Sequence, residues 1–206
     1  MIEKPDLPPE EGEFKGATRR LLLEAAMELI QQGDIPSVAE VARRAKVSRA
    51  TAYRYFPGSS ALITAVIDAS LGPVRTFPST EADGRKRVEE LFTVTFPRFV
   101  KYEPQMRAAA QLALEHWAKQ RAGILKEKAY RRGHRVGILA HALEPFRNSL
   151  SASVLDRLHK ALSVIYGIEP HVILKDIWGL DEQEVEAVAL WMANALVEAA
   201  LREAEG

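Results

Sequence analysis

Residues 43–56 read RRAKVSRATAYRYF, with five cations (Arg43, Arg44, Lys46, Arg49 and Arg54) and no acid. Cations at this density, spaced by Ala, Ser and Thr, break no bonds; they suit the binding of a polyanion. In a helix, Arg49, Ala50 and Thr51 would stand at the positive N-terminal end, the part of a recognition helix that meets base edges in the DNA major groove. Arginine pairs with guanine, threonine bonds several edges or touches a thymine methyl, and alanine is small enough to let the helix approach. Tyr53, Arg54 and Tyr55 suit phosphate oxygens, which position a helix without reading sequence. Ser37 stands at an expected helix start, where backbone amides can face a further phosphate. On charge alone, a solvated basic helix with core aromatics is an equal alternative.

The elements that must hold this cluster can be read around it. ATRRLLLEAAMELIQQ (17–32) has an apolar helical stripe, and Gly33 follows as a stop. In SVAE (37–40), Ser37 and Glu40 have the spacing of a capping box, so a second helix starts there and ends near Ala45. A turn over 46–48 leads to a third short helix ending near Phe56: helix, tight turn, helix. Pro57 and Gly58 break the chain before ALITAVIDASL, a fourth helix.

Beyond residue 72 the spacing predicts helices near 83–101 (kinked at Pro97), 103–119, 122–144, 151–167, 170–178 and 181–204, with no period-two strand pattern. The expected fold is all-α. A flexible acidic tail (1–14) precedes a three-helix helix-turn-helix domain (15–58) and a larger helical domain (59–206). Residues 15–56 hold eight basic and four acidic side chains, a local net of +4 within a chain balanced at 28 against 28.

Other chemistries find little footing. Without cysteine there is no disulfide, thiol nucleophile or Cys-based zinc site. The five histidines are scattered. Asp156 and His159 have helical metal-pair spacing only once, so they read as a surface pair rather than a metal site. No Gly-rich phosphate loop, HExxH or Gly-x-Ser-x-Gly occurs, so no catalytic constellation and no cofactor are expected. The acidic first residues do not read as a signal peptide, and the apolar stretch 187–201 is too short and interrupted to span a bilayer. A soluble, cytoplasmic protein with no membrane partner is the expectation.

The stretch from Thr18 to Phe56 resembles the DNA-binding domain of TetR-type transcriptional regulators, through LLLEAA (21–26), Gly33, SVAEVA (37–42) and Val47-Ser48 followed by Thr51, Tyr53 and Phe56. The resemblance departs at Lys46, where the family usually has glycine in a positive-φ turn, and at Ala50, where glycine is common. At Ser59-Ser60 the family usually has Lys-Glu, and that lysine commonly binds a phosphate at the start of the fourth helix, a contact that Ser59 and the helix amides could supply instead. KDIWGLDEQEVEAVALWMANAL is similar to the family's last two helices.

In 181–204, Val185, Val188, Met192 and Leu196 fall on one apolar face, and in 151–167 Leu155, Leu158 and Leu162 form a stripe. Such helices can cover their own core or meet a second copy. The resemblance implies a homodimer through them, and hence a palindromic DNA operator. It further implies a small-molecule effector among the middle helices, where Phe96, Met106, Trp117, Tyr130, His134 and His141 are candidate lining residues, and a repressor released by that effector. KEKAYRRGHR (126–135) could attract an anion but reads more simply as a solvated helix face. The alternative function is a helical small-molecule binding or scaffold protein that has lost sequence-specific DNA binding.

Overall fold

The structure is a computed structural model that describes residues 11–205, with side chains over 16–204. Among the described residues there are ten α-helices and no strand. They are α1 (Glu11–Gln31), α2 (Val38–Arg44), α3 (Arg49–Tyr55), α4 (Ser59–Leu71) and α5 (Gly84–Lys101), then α6 (Glu103–Arg121), α7 (His134–Ala142), α8 (Ala152–Ile165), α9 (Ile168–Asp176) and α10 (Glu182–Glu205). Most of the expected tail lies outside the described residues, but α1 already includes 11–14.

Helices α1–α3 share a small core of Leu22, Ala26, Ile30, Val38, Val41, Ala42, Ala52 and Phe56, all buried. Helix α4 packs against both α1 and α6, so it is a common wall of the small and large helical units. In the larger unit α10 lies along α5 and α8. One face of α10 (Ala189, Ala193, Val197) meets the Val154–Leu158–Leu162 face of α8 in the core. Helix α5 runs unbroken across Pro97. Proline supplies no amide to the Thr93 carbonyl, and both residues are exposed, so water can take the lost bond.

The expected helix over 122–144 is two things: a non-helical segment to Gly133 and a short α7. Gly123, at φ +69°, closes α6 with Gly123 N–H to the Gln120 carbonyl and Ile124 N–H to the Lys119 carbonyl. The following residues then spend their polar groups on distant partners. Tyr130 N–H donates to His116 Nδ1 at 3.1 Å, and Ser60 Oγ donates to the Lys128 carbonyl at 2.7 Å. KEKAYRRGHR is therefore mostly a packed loop, and not a solvated helix face.

His171 is a buried polar group in the larger unit. Its ring stacks on Phe96 with centroids 5.0 Å apart, and neither nitrogen has a hydrogen-bond partner among the described residues. Burial pushes its pKa below the usual 6.5, against a smaller upward pull from Glu103; the Gly167 backbone also pulls upward without a hydrogen bond of proper geometry. The folded state thus prefers the neutral ring. Its contribution is complete above pH 6.5 and is lost as pH falls below that value, because the unfolded chain takes the proton first. Stability should be level above about pH 6.5 and decline on acidification. Urea midpoints over that range should show the decline, and a His171→Leu chain should show less of it; an equal decline in both would place the proton elsewhere.

Candidate nucleic-acid interface

Helix α3 is held by its buried side and offers the other. Ala52 and Phe56, one turn apart, go into the small core, while Arg49, Ala50, Tyr53 and Arg54 are exposed and Thr51 and Tyr55 are half-buried. The helix starts at Ser48, whose Oγ accepts the Thr51 N–H at 3.1 Å and donates to Thr51 Oγ1 at 2.9 Å. This satisfies one early amide and fixes the Thr51 rotamer, leaving its hydroxyl hydrogen free to donate outward. Arg49 and Lys46 have no ion-pair partner among the described residues. Arg44 instead bonds Glu28 on α1 at 2.8 Å, and the Arg54 guanidinium lies over the Tyr55 ring, 5.8 Å from its centroid.

The turn before α3 is a helix C-terminal motif. Lys46 N–H donates to the Arg43 carbonyl and Val47 N–H to the Ala42 carbonyl at 2.9 Å, with Lys46 in the left-handed region at φ +55°. A lysine there meets the steric cost that glycine avoids. Lys46→Gly should stabilise the fold by about 1 kcal/mol, seen as a raised urea midpoint at unchanged slope. A lowered midpoint would mean that the lysine stem makes contacts worth more than the strain.

Ser37, Tyr53 and Ser59 line one cleft between the small unit and the end of α6, and three carboxylates, those of Glu40, Glu115 and Glu127, share it. Glu40 Oε2 accepts both the Ser37 N–H and the Ser37 Oγ–H at 2.7 Å, while the Ser37 hydroxyl accepts Glu40 N–H at 3.2 Å, completing the capping box. The Ser37 backbone and then its side chain hold the Glu40 carboxyl below its usual range. At the start of α4, Ser60 N–H donates to Glu127 Oε2 at 3.0 Å. Glu127 comes from the packed loop, and its other oxygen is 3.6 Å from His116 Nε2. His116 Nδ1 accepts from Tyr130, so Nε2 carries the hydrogen that faces Glu127. Both helix starts at which a phosphate was expected, Ser37 and the Ser59–Ser60 end of α4, are thus occupied by the chain's own carboxylates, because Glu40 is local and the loop delivers Glu127.

The other expected sites divide. Met106, Tyr130 and His134 line one cavity, together with Arg132, Arg135, Tyr166 and other residues. Phe96 lies behind it against His171, Trp117 is 64% exposed, and His141 bonds Arg87 at 2.9 Å away from the cavity. Spacing on helices could not have found Arg132, which lies in the loop, or Tyr166, which lies at the α8–α9 joint. Of the expected dimer residues, Leu158, Leu162 and Val185 are inside the protomer core, whereas Leu155, Val188, Met192 and Leu196 are half-buried. Asp156 pairs with Lys160 and His159 bonds the Val136 carbonyl, so the two do not pair with each other. Among the described residues no three His, Asp or Glu side chains gather as a metal site, and no helix is long and apolar enough to cross a membrane.

Comparison with known proteins agrees with this geometry. Residues 22–66 match the model of bacterial regulatory proteins of the tetR family. A TetR transcriptional regulator from Rhodococcus sp. RHA1 is structurally similar, with a TM-score of 0.56 at 18% sequence identity over 90% of this chain and 97% of that one. At that identity the likeness concerns the fold. No curated protein matches the chain. The matched segment contains the turn, the exposed face of α3 and most of α4. Through it residues 22–66 carry the DNA-binding segment of the tetR family of bacterial regulatory proteins.

Proposed function

We propose that the chain acts as a homodimeric repressor that holds a palindromic operator and leaves it when a small molecule occupies the helical domain. The observation that carries the DNA contact is the exposed, unpaired N-terminal end of α3. In this reading Arg49, Ala50 and Thr51 meet base edges, and Tyr53, Arg54 and Tyr55 meet phosphates. Ser37 and Ser59 can join them only if Glu40 and Glu127 yield their places.

The dimer contact is assigned to the side of α10 away from its core face. Trp191, 71% exposed, stands there, and helical periodicity puts Val188 and Ala195 beside it. Val164 on α8 and Ile177 and Trp178 after α9 are further exposed apolar side chains of these last helices. A two-fold contact through them would set two α3 helices about one DNA turn apart.

Glu127 supplies a link between ligand and DNA. It occupies the α4 amide end, and it belongs to the same loop as the cavity-lining residues Tyr130 and Arg132. Neutralising it without changing its shape, Glu127→Gln, should tighten duplex binding about threefold or more, the order of 1 kcal/mol expected for removing one negative charge near a phosphate. Fluorescence anisotropy on a labelled duplex measures this; unchanged affinity would place Glu127 away from the DNA.

Titrating the same duplex across salt concentrations, with sedimentation to fix the stoichiometry, tests the whole reading. Affinity should fall steeply with salt at two chains per site. Weak, salt-insensitive binding would favour the alternative of a ligand-binding helical protein, for which the carboxylate at the α4 end is the supporting observation.

A further inference from the structure

The cavity lined by Tyr130 and Arg132 has a defined polar end. Leu71, Phe99, Met106 and Ile138 make much of its wall, and no acid lines it. Most of the polar groups around it are already engaged. His134 Nε2 is 2.9 Å from Asp68 Oδ1, and Arg135 donates to the Ser163 carbonyl at 2.7 Å and to Glu169 at 2.9 Å. Arg132 reaches the same Glu169 carboxylate through Nη2 at 2.7 Å. Two guanidinium groups therefore share one carboxylate, which leaves a local excess of one positive charge.

Among the described residues, two donors at this cavity remain buried without a partner: the Tyr130 hydroxyl and Arg132 Nη1. Burial pushes the Tyr130 phenol up to about 12, so it keeps its proton and can donate at neutral pH. A buried donor left unpaired is costly because it has given up its bond to water, and a ligand acceptor would recover that cost for both groups. The empty space is about 50 Å³, enough for a few water-sized groups, so a larger body must displace a side chain. Met106 is a flexible wall residue suited to yield. Behind Phe99 and Tyr166 a second small void of about 10 Å³ reaches His171, the direction in which the cavity could open further.

We propose that this cavity binds a small organic acid, with its anionic head on Tyr130 Oη and Arg132 Nη1 and its apolar body against Leu71, Phe99 and Met106. The assignment rests on the reading of the larger unit as the effector-binding part, and it names the effector's chemical class. A head drawn onto Tyr130 and Arg132 would pull on the loop that holds Glu127 at the α4 end, giving the ligand a route to the DNA-binding unit.

Isothermal titration with benzoate and hexanoate, each beside its neutral amide, and with benzylamine as the cationic counterpart, tests the proposal. The acids should bind at least tenfold more tightly than the amides, and benzylamine should not bind. Arg132→Met should abolish the preference for acid over amide, and Tyr130→Phe, the milder change, should weaken the acids several-fold with helix content unchanged by circular dichroism. Equal binding of acid and amide, acid binding untouched by both substitutions, or no binding of either acid would overturn it. Duplex binding by the same preparation separates the two readings. If it persists while the acids fail, the ligand class falls and the regulator stands; if it too is absent, the regulator reading falls as well.

Discussion

Truncating Phe56 to alanine should cost about 3–5 kcal/mol of folding free energy, the range for deleting a buried aromatic ring. Phe56 is only 3% exposed, ends α3 by donating its N–H to the Ala52 carbonyl, and lies under the Arg19 guanidinium, 5.8 Å from the ring centroid. With Ala52 it anchors α3 to α1 and α2, so the cavity would open beneath the helix that carries the basic face. Duplex binding should fall with stability, because a loosened α3 no longer holds Arg49 and Thr51 in one arrangement. Chemical denaturation measures the loss. A cost below about 1 kcal/mol, under the large-to-small range, would mean that the small core collapses around the void and that α3 is held by something else.

Replacing Arg49 by alanine should weaken binding to the preferred duplex by about 5–150-fold, equivalent to 1–3 kcal/mol, and relax the choice of one base pair in each half-site. Folding should hardly change, since Arg49 is exposed and has no ion-pair partner among the described residues. Competition between the preferred duplex and random duplex separates the two roles open to it. A selective loss on the preferred sequence assigns Arg49 to a base edge. An equal loss on both, with a smaller salt slope, would move it to a phosphate.

The parts legible in the sequence were those whose physics is local. The Ser37–Glu40 capping box, the turn over 46–48 and the end of the third helix near Phe56 all follow from neighbours within a few residues. The α7 region was not legible, because apolar periodicity continues across 122–144 while the decisive events are a positive-φ stop at Gly123 and bonds to His116 and Ser60 on other helices. For the same reason no spacing rule could deliver Glu127 to the start of α4.

The candidate cavity was legible in part. Met106, Tyr130 and His134 come together, whereas the Trp117 indole, an apolar type, faces solvent with Arg121 5.9 Å from its ring. Apolar stripes on α8 and α10 had a further ambiguity. Leu158, Leu162 and Val185 satisfy the stripe by filling their own protomer's core, so periodicity could not separate that core from a surface kept for a second copy.

The most direct test of operator recognition is selection of bound sequences from a random duplex pool at moderate salt, with the chain purified free of bound small molecules. A dimeric regulator with this recognition helix should enrich a palindrome whose half-sites are centred about one helical turn or slightly more apart. A folded chain that enriches no sequence would contradict it and leave a helical ligand-binding protein in place of a regulator.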